Sequence, residues 1–225
     1  MNFKNNILSI AILIGFAFTG IVEAQFAQFK NPLGGGSSDS GSGDITATQE
    51  KLISDLADAL GDVLSAQAII AEAQGKKELA ASLNNTSTKM KGGSYTNDDI
   101  QGAVTTSQDT IDALGGVMSE GENLSAESKA LYAKAVLPYA KSVAKTAKLS
   151  GPIKDFTKEA QNAIKSIKNP MEIRKLKKSL DTGLFVGKNV PKLIGSLGKS
   201  SKDLITFAKK NDISTKGTED IGLPE

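Results

Sequence analysis

Five aspartates are spaced so that their carboxylates could act together. Asp55, Asp58 and Asp62 recur at intervals of three and four, and Asp109 and Asp112 repeat the first interval, so each set shares a helix face. Paired carboxylates can serve as general acid and base, as on a glycosidic bond. Such chemistry also needs aromatic surfaces to hold a sugar, and eight Phe, three Tyr and no Trp are a poor platform. Both sets lie off the apolar stripes of their helices, so the simpler reading is a solvated acidic face. No Asp-x-Asp-x-Asp-Gly loop is present for calcium.

The remaining chemistry is narrowed by what the chain lacks. With no His and no Cys, zinc, copper and haem have no ligand set, and four Met do not replace one. The same absence removes Ser-His-Asp and Cys-His nucleophiles. Ser166 with Lys168 and Ser200 with Lys202 are merely close in sequence, without the partners of a Ser-x-x-Lys set. Gly34 to Gly43 lacks the strand before and the helix after that a phosphate-binding loop requires. The expectation is a protein that is not an enzyme and carries no metal and no cofactor.

Charge is the strongest clue left. Between Asp44 and Glu127 there are 14 acidic and 5 basic residues, a net of −9; between Ser128 and Lys210 there are 19 basic and 5 acidic, a net of +14. The overall +2 conceals this division. Lys134, Lys141, Lys145 and Lys148 fall on one side of a helix, Lys154, Lys158, Lys165 and Lys168 follow a related spacing, and Arg174, Lys175, Lys177 and Lys178 form a dense cluster. Three readings compete. The two halves face each other, or the lysines simply solvate an amphipathic bundle. Alternatively, Lys165, Lys168, Arg174, Lys175, Lys177 and Lys178 meet an anionic partner, such as a lipid headgroup, a glycan or an acidic envelope protein. Nucleic acid is disfavoured, because aromatic residues do not interleave with the lysines.

The elements that must position these groups read as helices. Leu52, Leu56, Ala59, Val63, Ala66 and Ile70 make a stripe at intervals of three and four, with Thr46 and Gln49 spaced as a capping box. A weaker helix runs from about Lys76 to Met90 and stops at Gly92-Gly93. Thr96 and Asp99 cap the next, whose stripe is Ile100, Val104, Ile111, Leu114 and Val117. Ser125 opens an Ala-rich segment to Leu149, facing inward through Tyr132, Val136, Tyr139, Val143 and Ala147, which Pro138 should kink or split. Gly151-Pro152 begins a helix carrying Ile153, Phe156, Ala160, Ala163, Ile164 and Ile167. Asn169-Pro170-Met171-Glu172 starts another with an N-cap, Pro at the first position and Glu at the third. Leu184-Phe185-Val186, flanked by glycines, leads to a last helix after Pro191, from about Lys192 to Lys210. Residues 55–65 and 109–119 match at seven positions with a constant offset of 54, which as a duplication would set Gly61 and Gly115 at a close crossing.

The ends complete the reading. Lys4, the apolar run from Ile7 to Val22 and Val22-Glu23-Ala24 match a secretory signal peptide, cleaved after Ala24; the run is short for a retained membrane anchor. No Cys is present to take a lipid, and no later segment is apolar enough to span a bilayer. The whole is thus an all-α bundle of five to seven helices: signal peptide 1–24, flexible Gly/Ser-rich tether 25–44, helical domain 45–210, and a polar, frayed tail 211–225. It is expected in the periplasm or, failing that, secreted, as a binding or structural protein of the envelope. The alternative is a membrane-active protein that inserts Leu184, Phe185, Val186 and the apolar residues up to 197. Nothing in the sequence sets an oligomeric state.

Overall fold

The computed structural model describes residues 42–120 and 124–224; the expected signal peptide, 1–24, and the expected tether up to 41 lie outside the described residues. Seven helices and no strand occur among the described residues: α1 (Ser42–Ala73), α2 (Lys77–Lys91), α3 (Asn97–Glu120), α4 (Ala126–Ala147), α5 (Ser150–Ser166), α6 (Pro170–Ser179) and α7 (Asp181–Lys210). The last three residues assigned to the tether, 42–44, are therefore already helical.

Helix α1 is the axis of the bundle. Its 32 residues span about 48 Å at 1.5 Å per residue, and α2, α3, α4 and α5 all pack on it. Every residue of the expected stripe, Leu52 to Ile70, is buried there. The helix ends in a Schellman turn: Gly75 takes φ 73°, its N–H bonds the Glu72 carbonyl, and the Lys76 N–H bonds that of Ala71. Helix α7, 30 residues long, lies against α3, α4 and α5 and closes the other side. Tyr132 of α4 meets Phe207 of α7 at 5.0 Å between ring centroids, inclined at 55°. Nearby the Tyr139 hydroxyl donates to Ser200 Oγ at 3.2 Å, and burial pushes that phenol up to about 12.

The capping chemistry follows the sequence at three of the four expected helix starts. Thr96 and Asp99 exchange hydrogen bonds, Thr96 N–H to Asp99 Oδ2 at 2.7 Å and Asp99 N–H to Thr96 Oγ1 at 3.3 Å. Ser125 accepts from the Ser128 N–H and Asn169 from the Met171 N–H. Thr46 and Gln49 depart from expectation, because α1 begins at Ser42 and both residues lie inside it.

Proline did not break its helices. Helix α4 runs unsplit through Pro138, and α7 starts ten residues before Pro191 rather than after it. Val186, Val190, Leu193, Ile194 and Leu197 keep the helical period across Pro191 and are all buried, and that packing outweighs one lost backbone bond. The glycines taken for a break are contact points instead. A Cβ on Gly183 would stand 2.5 Å from Phe156 and from Gln49 Oε1, and one on Gly187 would stand 2.3 Å from Thr157 Oγ1.

The tail is not frayed. Asp212 adopts φ 57° and closes a second Schellman turn, with the Ile213 N–H on Ala208 O at 2.9 Å and the Asp212 N–H on Lys209 O at 3.4 Å. Ile213 and Thr218 are buried, Leu223 packs on the core, and Pro224 lies over Gly198. The glycine crossing that a duplication would imply is also absent, as two ordinary helices require. Gly61 lies against Lys91 and Met90 of α2, whereas a Cβ on Gly115 would meet nothing within 4 Å.

Candidate functional site

The acidic face of α1 does not stand alone in solvent. Asp62 bonds Lys91 of α2 at 2.6 Å, and Lys145 of α4 bonds both Asp58 and Asp62 at 2.6 Å, so two carboxylates and two ammonium groups neutralise one another. Partial burial pushes Asp62 upward, but hydrogen bonds and attraction from Lys145 and Lys91 outweigh it and hold the carboxyl below 3.8. Burial likewise lowers Lys145, while its bonds to Asp58 and Asp62 raise it further, above 10.5. A cleft of about 310 Å³ beside the quartet is lined by Asp62, Ser65, Lys91, Pro138, Lys141 and Lys145. The charges in its wall are largely compensated. Among the described residues Asp55 pairs only with Lys51, one turn before it, at 2.7 Å. Asp109 and Asp112 are exposed and form no ion pair among the described residues. Among the described residues no three metal-ligating side chains cluster.

The basic half divides in two. Lys145 reaches across to the acidic half; Lys165, Lys168, Arg174, Lys175, Lys177 and Lys178 do not. All six are exposed and none makes an ion pair among the described residues. They occupy the end of α5, the three-residue link and α6. The nearest charge of opposite sign in sequence, Glu172, accepts from Asn169 Nδ2 at 3.2 Å.

This corner projects because little of α6 is used in packing. Of its ten residues only Leu176 is buried, and Ile173 is half-buried. Its position is set from beneath. Gln49 of α1 donates from Nε2 to the Ser179 carbonyl at 3.0 Å and accepts the Gly183 N–H on Oε1 at 3.0 Å. One amide thus satisfies a terminal carbonyl of α6 and an opening N–H of α7, whose own N-cap, Leu180, offers no side-chain bond. Leu180, at the elbow between the two helices, is fully buried. Sequence reasoning saw Gln49 only as a local cap. Its one visible signal was a polar residue next to a buried stripe.

The segment expected to contact a membrane is packed into the bundle. Val186 is buried, Leu184 and Phe185 are half-buried against the core, and Val190, Leu193, Ile194 and Leu197 are buried. Inserting 184–197 into lipid would require dismantling α7. Among the described residues the exposed large apolar side chain is Met171, at 70% exposure, and it stands within the basic corner. No described helix is long and apolar enough to cross a membrane.

No protein-family model, curated protein or solved structure matches this chain.

Proposed function

We propose that the protein is an exported, non-enzymatic helical module of the cell envelope that binds an anionic surface through the α5–α6 corner. The observation that carries this reading is the contrast within the basic half. Lys145 has carboxylate partners, while the six cations from Lys165 to Lys178 are exposed and pair with no carboxylate among the described residues. Like charges gathered at one corner repel one another, and an anionic partner relieves that repulsion. Each Lys or Arg near such a surface contributes on the order of 1 kcal/mol, about fivefold in affinity, when screening is weak. Residues 1–24 direct export, with the periplasm as destination and secretion as the second possibility. The partner is an anionic lipid or glycan, or an acidic envelope protein.

The test uses the mature chain with two probes, polyphosphate in solution and vesicles containing phosphatidylglycerol. Binding to at least one should be tight at low salt and fall steeply once the Debye length shrinks below about 8 Å. Reversing all six cations to Glu should abolish binding while the helical circular dichroism is retained. Asp109→Asn with Asp112→Asn is the matched control and should bind no worse. Asp58 and Asp62 are unsuitable controls, because they hold Lys91 and Lys145. Equal binding by the six-Glu variant, or no salt dependence, would sink the proposal.

A further inference from the structure

The basic corner also carries an apolar tip. On α6, Met171, Arg174, Lys175 and Lys178 stand at i, i+3, i+4 and i+7, so they share one helix face, on the side away from Leu176. Leu176 is 8% exposed and fixes that helix to the core, whereas Met171 is 70% exposed in the first turn. Asn169 caps this turn and Pro170 begins it, so Met171 is held on ordered backbone. The other large apolar side chains whose burial is described are at least partly covered.

A soluble polyanion gains nothing from an exposed methionine among lysines. A bilayer does: phosphate groups meet the cations, and the layer just beneath them accepts a flexible, apolar thioether. The lysine stems can lie along the same boundary with their ammonium groups at headgroup level.

We infer, resting on the anionic-surface reading above, that the partner of this corner is the anionic phospholipid bilayer, with Met171 inserted at the headgroup–acyl boundary and Arg174, Lys175 and Lys178 on the phosphates. With one inserted side chain at this corner, the association it supports is peripheral, reversible and salt-sensitive.

The chain contains no Trp, so Met171→Trp installs a single reporter on a site that is 70% exposed. Its emission should shift to the blue with phosphatidylglycerol-containing vesicles, and brominated acyl chains should quench it. Polyphosphate and pure phosphatidylcholine vesicles should leave the spectrum unchanged. Met171→Gln, which keeps every charge, should weaken partitioning into the anionic vesicles about tenfold, as expected when much of a methionine's burial is lost. It should leave polyphosphate binding as in wild type. Two results would overturn the inference while leaving the anionic reading intact: vesicle binding unaffected by Met171→Gln, or a reporter that stays water-exposed on bound protein. Binding to neither polyphosphate nor the anionic vesicles would overturn the anionic reading itself, and this inference with it.

Discussion

Gln49 shows how much one side chain can do when its two ends face different elements. Its Oε1 takes the Gly183 N–H and its Nε2 gives to the Ser179 carbonyl, both at 3.0 Å. Each backbone group belongs to a helix terminus, where the chain provides no partner of its own. Replacing Gln49 by Leu keeps the volume close and strands the Gly183 N–H in a buried place and the Ser179 carbonyl in a partly buried one. Such groups cost about 1–3 kcal/mol each when left unmade. Gln49→Leu should therefore lower the unfolding free energy by about 2–4 kcal/mol in urea titrations. Amides of residues 176–184 should exchange faster before the rest of the bundle does, because the junction loses its tie to α1. Unchanged stability together with unchanged exchange would refute the latch. Such a role was illegible in sequence, since it joins residues 130 and 134 positions apart. The three caps that were legible, Thr96, Ser125 and Asn169, act within three residues of themselves.

At the level of the helix, α7 is where local rules and packing disagreed. Gly183, Gly187 and Pro191 suggest an interrupted segment by propensity, yet the apolar spacing from Val186 to Leu197 is that of one continuous helix. Periodicity prevailed because the buried side chains outnumber the breakers. Helix start signals failed at Thr46, which lies inside α1, and at Pro191, inside α7, where Gly183 and Gly187 serve contact rather than a turn; no sequence pattern distinguishes those uses of glycine. Two glycines of α7 separate the effects. Gly195 has nothing within 4 Å of a built Cβ, so Gly195→Ala should gain up to about 1 kcal/mol of helix propensity. Gly183 has the ring of Phe156 and Gln49 Oε1 at 2.5 Å, and neither can retreat from a filled core. Gly183→Ala should instead cost about 1–3 kcal/mol from overpacking, partly offset by the same propensity gain. Chemical denaturation of the pair decides it. Stabilisation by both substitutions would mean that α5 and α7 do not pack this closely.

For the molecule as a whole, composition and hydrophobic periodicity were enough to reach an all-α bundle, because burial of α1's stripe is a property of spacing alone. The separation of charge was equally visible, but not its consequence. Which lysine pairs and which stays free depends on the helix that lies opposite, and only Lys145 of the basic half faces Asp58 and Asp62. The tail was misjudged for a related reason. Polar residues dominate 211–225, yet its few apolar ones are placed to return to the bundle. Asp212 in the left-handed region turns the chain at the end of α7, a role usually read from glycine. Ile213 is then 6% exposed, Leu223 rests on the core, and Gly198 leaves room for Pro224, whose carbonyl oxygen would be 2.6 Å from an added Cβ. Removing residues 211–225 takes away this cover and bares the apolar side chains under it. Burying an isoleucine contributes about 1.5–3 kcal/mol, and the ordering entropy of the short tail offsets part of the total. Truncation after Lys210 should thus lower stability by about 1–3 kcal/mol, read as an earlier urea midpoint. Gly198→Val, which displaces only Pro224 and its neighbours, should show a smaller loss in the full-length chain and none in the truncated one. That non-additivity is the decisive measurement. An equal loss in both backgrounds would place the defect within α7, and a truncated chain as stable as the full one would show that the tail contributes nothing.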